Sequence, residues 1–195
     1  MRFVLVHGAF VGGWIWGPLA ERLEELGHSV KTPDLPGAGD DPTPVEDVTL
    51  DAYASRICEL FQESDDPAIL VGNSMGGIVI TEAAARRPHA VKRLIYVAAF
   101  LPGDGQSLKA LTELPEGADD QVQANVVIAG DPPVGNLPDD VHRNANLACP
   151  PEVIEWAVER TGSQAMVPMA EPVSLNDEVE RIPRTYVICE RDTSI

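Results

Sequence analysis

The sequence predicts an α/β domain, a mostly parallel sheet covered by helices on both faces, on three observations. Short apolar runs alternate with helix-periodic segments from Arg2 to Ala99, and strands alternating with helices build a parallel sheet because each crossover lays a helix on one sheet face. The run Ala68-Ile69-Leu70-Val71 passes directly into Gly72-Asn73-Ser74-Met75-Gly76 and then into the helix-like Gly77 to Ala85. A glycine-rich stretch, His7-Gly8-Ala9-Phe10-Val11-Gly12-Gly13-Trp14, follows the first run. In such a sheet the site lies at the C-terminal ends of the strands.

Each element follows from local pattern. Arg2 to Val6 is a short buried strand. Pro18 to Leu26 is a helix with Leu19, Leu23 and Leu26 on one face, Pro18 near its start and Gly27 just past its end. His28 to Thr32 is the second strand, and Pro33 to Asp47, with four prolines and two glycines, is an irregular crossover. Leu50, Tyr53, Ala54, Ile57, Leu60 and Phe61 recur at helical spacing and form a core face. The strand before Ser74, the helix behind it and a strand Arg93 to Ala99 complete the first half. From about 102 to 183 the rhythm breaks into a Pro-, Gly- and Asp-rich insertion with one expected helix, Pro151 to Arg160. Arg184 to Cys189 is the last strand, and there is no internal repeat.

The Gly-x-Ser-x-Gly between strand and helix carries the chemistry. A serine on a sharp strand-to-helix turn exposes its hydroxyl and places a helix N-terminus toward the reacting centre, so Ser74 is the expected nucleophile of a serine hydrolase. An acyl-transfer reaction also needs donors for the oxyanion. The loop after the first strand offers the N–H of Ala9, and the residue after the serine offers that of Met75. The competing reading of the glycine-rich stretch as a phosphate loop lacks both the Gly-x-x-x-x-Gly-Lys and the Gly-x-Gly-x-x-Gly pattern.

Composition sets outer bounds. The chain has 195 residues, 44% of them hydrophobic, enough for one sizeable core. A formal charge of −17 opposes binding to nucleic acid and to anionic membranes. The acid occurs in scattered pairs such as Asp40-Asp41, Asp65-Asp66, Asp119-Asp120 and Asp139-Asp140, a pattern of solvated loops and not of a metal cage. No metal or cofactor is expected. Three widely spaced cysteines, Cys58, Cys149 and Cys189, read as reduced thiols. With no run long enough for a signal peptide or a membrane span, the expected location is the cytoplasm. Cys58 as an alternative nucleophile is disfavoured by its place inside an amphipathic helix.

The His7 to Trp16 stretch, Gly27-His28, Asp34 to Gly39, Gly72 to Gly77, Ala98 to Pro102 and Tyr186 to Asp192 together resemble the α/β-hydrolases that include plant methylesterases, the salicylate-binding esterase, hydroxynitrile lyases and bacterial esterases. The resemblance runs from Met1 to Ile195, with the motifs in family order. It implies an α/β-hydrolase fold with the insertion as a helical lid. It places the triad acid at Asp192, just past the last strand, and makes Phe10, Phe100, Leu101 and the lid residues Trp156, Met166 and Met169 pocket candidates. The family order is serine, acid, histidine, and no histidine follows Asp192. His7, His28, His89 and His142 each read as structural or exposed. The expectation is therefore a single, C-terminally incomplete domain lacking roughly 40 to 60 residues with the catalytic histidine. The implied activity is hydrolysis of small carboxylic esters, with a small-molecule ester as partner and a homodimer left open. A cyanohydrin lyase is the first alternative, opposed by Gly8 where lyases of the family carry threonine. A non-catalytic small-molecule binder is the second.

Overall fold

The computed structural model describes residues 1–117, 120–145 and 149–190. The first half runs β1 (Arg2–Val6), α1 (Gly17–Glu25), β2 (Ser29–Lys31), α2 (Leu50–Leu60), β3 (Ala68–Ser74), α3 (Gly76–Arg86) and β4 (Val91–Ala99). The insertion follows with α4 (Leu108–Thr112), α5 (Gln121–Asn125), β5 (Val127–Ala129), β6 (Val134–Asn136), α6 (Asp139–Ala145), α7 (Pro151–Val158), β7 (Gln164–Ala165), α8 (Val167–Ala170) and α9 (Asp177–Glu180). β8 (Arg184–Val187) then returns to the main sheet, whose order is β2-β1-β3-β4-β8 with every neighbouring pair parallel.

Side chains alternate across this sheet and sort into two cores. Val4, Val6, Leu70, Leu94 and Tyr96 join the large cluster with α2 and α3. Phe3, Leu5, Ile69 and Val71 pack with Trp16 on the opposite face. Strands apolar on both faces are the mark of a parallel sheet covered twice. α2 forms because Thr49 caps it, its hydroxyl accepting from the Ala52 N–H, and because its apolar face of Leu50, Tyr53, Ala54, Ile57 and Leu60 is buried. α3 is buried along nearly its whole length, from Gly76 to Ala85, so its small residues set how closely it approaches the sheet.

Among the described residues, cover of the second face is thinner than expected. α1 contains no buried residue, and Leu19 and Leu26 are 41% and 59% exposed. Only Ala20 and Leu23 of this helix reach the cluster around Trp16, because α1 lies toward β2 at the edge of the sheet.

The insertion is more structured than the sequence suggested. In place of one helix, its described residues hold six short ones and a three-stranded antiparallel sheet, β5-β6-β7. Three of these helices start at side-chain caps: Ser107, Asp120 and Asn176 each accept a backbone N–H of the first turn. Its return limb is sewn to the core. The Glu171 carboxylate accepts from the Leu50 N–H, Glu82 accepts from the Ser174 N–H at 2.9 Å, and Asn176 donates to the Ala85 carbonyl at 2.8 Å. No helix among the described residues is long and apolar enough to cross a membrane.

Candidate active site

β3 ends at Ser74, whose φ of 51° lies in the left-handed region that non-glycine residues avoid. The turn is tight enough to exclude side chains beside it. A Cβ on Gly72 would stand 2.6 Å from the Gly76 carbonyl oxygen, and one on Gly76 would stand 2.5 Å from that of Val6. The conformation is held from outside. The Phe100 N–H donates to the Ser74 carbonyl at 3.1 Å, the Asn73 amide donates to the Val97 carbonyl at 3.0 Å, and the β3–β4 register shifts between Asn73 and Ser74. Strain at a residue so over-determined is a frequent mark of function.

Opposite the serine, the loop after β1 is organised by His7, which is fully buried. Its Nδ1 lies 2.8 Å from the Gly8 carbonyl oxygen, and its Nε2 accepts from the Leu35 N–H at 3.0 Å. This arrangement requires the neutral Nδ1–H tautomer, and burial lowers the pKa below 6.5 in agreement. The Gly8 carbonyl and the Ala9 N–H share one planar, trans peptide unit. By holding the first, His7 aims the second away from itself. Asp34 braces the same loop by accepting from Gly13 N–H at 2.7 Å and Asp40 N–H at 3.0 Å.

Ser74, Ala9, Met75, Phe10 and Phe100 converge on one cavity of about 300 Å³, closed from above by lid residues such as Leu108, Val122, Ile128, Met166 and Met169. The N–H groups of Ala9 and Met75 have no hydrogen-bond acceptor among the described residues. The lining is mostly apolar, with Lys109, Asp120, Gln123 and Gln164 as its polar members besides the serine. Two expected pocket residues stand elsewhere. Leu101 is 41% exposed and absent from the lining. Trp156 packs edge-on against Trp14 at 5.1 Å, with the Arg160 guanidinium 4.4 Å from its ring, and borders a separate hollow. Asp192 lies outside the described residues.

All four histidines are described, and none lines the Ser74 cavity. His28 packs on Phe3, His89 lies on the surface 3.6 Å from Glu178, and His142, in α6, meets Phe10 edge-on at 5.9 Å. Cys58 is spoken for: its thiol donates to the Ala83 carbonyl, and burial pushes its pKa up, away from the thiolate. Among the described residues no three His, Cys, Asp or Glu are placed to hold a metal. Leu108, Val122, Ile128 and Gln164 were not anticipated as lining. The caps Ser107 and Asp120 would have located the first two.

The sequence matches the alpha/beta hydrolase family over residues 3–195. The chain belongs to this family. Within it, the α/β-hydrolase chain is 41% identical over 129 residues to the carbendazim hydrolyzing esterase of Nocardioides sp. (strain SG-4G), covering 65% of the chain and 52% of that esterase. It is 30% identical to salicylic acid-binding protein 2 of Nicotiana tabacum over 208 residues, 100% of the chain and 80% of the tobacco protein. The solved structure of polyneuridine aldehyde esterase superposes with a TM-score of 0.85 at 26% identity, covering 99% of this chain and 81% of that one. The match thus spans about half the length of the Nocardioides esterase and about four fifths of the other two.

Proposed function

We propose that the protein hydrolyses small, mostly neutral carboxylic esters through a Ser74 acyl-enzyme. The observation that carries the reading is a serine held at φ 51° on the wall of an apolar cavity, beside two N–H groups without acceptors among the described residues. Ser74 Oγ attacks the ester carbonyl, and the N–H groups of Ala9 and Met75 receive the oxyanion. The C–O bond to the alcohol then breaks, a histidine returns the serine proton to the departing alkoxide, and water cleaves the acyl-serine to release the acid and regenerate the hydroxyl. Asp192 orients that histidine, which a segment C-terminal to Ile195 supplies in this reading. In support, none of the four histidines reaches the cavity, and two of the relatives are named as esterases.

Hydrolysis is favoured over cyanohydrin cleavage by Gly8. A Cβ there would stand 3.0 Å from the Ser74 Cβ, and this position beside the nucleophile carries no hydroxyl to hold a cyanohydrin oxygen. The deciding experiment is Ser74→Ala in the full-length protein, assayed with p-nitrophenyl acetate alongside a fluorophosphonate label. Hydrolysis should fall to background and labelling should vanish, while the circular dichroism spectrum is kept. Retention of more than about a tenth of the activity would remove Ser74 as nucleophile.

A further inference from the structure

We infer that Gln164, the first residue of β7 in the lid, is a positioning residue for the oxyanion loop, acting through the backbone of Phe10. The inference rests on the proposed ester hydrolysis at Ser74 and deepens it.

Phe10 has a φ of 65°, unfavourable for an aromatic side chain, and follows directly on the donor Ala9. Three consecutive peptide units of this loop are each fixed by a hydrogen bond. His7 holds the Gly8 carbonyl; the Phe10 N–H donates to Gln164 Oε1 at 3.3 Å; the Phe10 carbonyl accepts from the Gly162 N–H at 2.9 Å. Two of the three partners therefore come from one short lid segment, Gly162 to Gln164.

The Gln164 side chain is itself pinned. It is 3% exposed, and its Nε2 donates both to the Tyr53 hydroxyl and to the Ala165 carbonyl, each at 2.9 Å. A carbonyl accepts only, so the NH₂ end must face Ala165 and Oε1 must face Phe10. Tyr53 belongs to α2, buried in the main core. A chain of contacts thus runs from core helix to lid strand to the residue beside the oxyanion donor, and it sets the angle at which the Ala9 N–H meets the reacting carbonyl.

The test uses the full-length protein with two esters differing in acyl group. Gln164→Met removes the acceptor at similar volume, and kcat should fall ten- to hundredfold while KM stays within about twofold for both esters, because a misaimed donor acts on the transition state and not on ground-state binding. Gln164→Glu keeps an acceptor for the Phe10 N–H but sets a carboxylate oxygen against the Ala165 carbonyl, and should recover kcat only in part relative to Gln164→Met. Tyr53→Phe, which keeps the core ring, should lower kcat in the same direction and decides the matter if Gln164→Met does not fold. Unchanged kcat in the folded variants, or a raised KM with kcat kept, overturns the inference, the second outcome marking Gln164 as a substrate contact. Ser74→Ala in parallel separates the two levels: if it stays active, the esterase reading has failed whatever Gln164 does.

Discussion

His7 uses both ring nitrogens on backbone groups and can do so only while neutral. Its folded pKa is lowered by burial, as is that of His142. A depressed pKa means that protonation favours the unfolded chain, so the stability these residues lend is complete above about pH 6.5 and is lost as pH falls through their folded values. The melting temperature should therefore drop between pH 7 and pH 5, and ¹⁵N imidazole shifts should show His7 as the Nδ1–H tautomer at neutral pH. An imidazolium signal for His7 at pH 7 in the folded protein would contradict this. Gly8 carries a second prediction at this scale: the full-length enzyme should turn over short-chain aryl or methyl esters and release little cyanide from mandelonitrile, and cyanide release rivalling ester turnover would reverse that ranking. Single residues were legible where their partners are near in sequence, as with Ser74 between its two glycines. Gln164 was not, since the groups that give it meaning lie 154 and 111 positions away.

Among elements, the junction of β3 and α3 tolerates least change. Gly72→Ala would drive a methyl group into the Gly76–Gly77 peptide, and backbone there cannot swing aside as a side chain would. We expect a loss of about 1 to 3 kcal/mol in urea unfolding of the full-length protein, the usual range for overpacking a filled site, and a much smaller loss would mean that the turn can open. Long periodic segments were readable: β1, α2 and the strand and helix flanking Ser74 fall within a few residues of expectation. The lid was not, for a physical reason. Helices of four to eight residues complete about one or two turns, too few for a 3.6-residue period to emerge, and their stability comes from caps and docking more than from propensity. Ser107, Asp120 and Asn176 were the available signals, and they are single polar residues among many.

For the molecule as a whole, the sheet's two margins differ. Among the described residues β8 pairs only with β4, and all four of its residues are exposed, with Ile188 just beyond it 76% exposed. What holds it is local: the Tyr186 ring stacks parallel to Tyr96, and its hydroxyl accepts from the Ala99 N–H and donates to the Ala99 carbonyl. A strand with an open edge is a template for pairing with another chain. Expressed alone, the segment 1–195 should associate with rising concentration in sedimentation velocity and show near-background esterase activity, and Val187→Lys should weaken the association. A monomeric 1–195 as active as the full-length protein would mean that another histidine serves as base, with His142, which packs on the cavity residue Phe10, the first to test. The parallel sheet and its site were visible in the order of strands and helices, whereas the unequal cover of its faces was not, because leucine periodicity in α1 says nothing of what lies opposite. The lid's fastenings have a consequence for redesign. Glu82 and Asn176 tie its return limb to α3, and Glu171 ties it to α2, while Leu108, Val122 and Ile128 over the serine belong to its forward limb. Exchange of residues 108–128 for the matching stretch of a relative, with these three sutures kept, should therefore change the substrate range while leaving the sheet as it is.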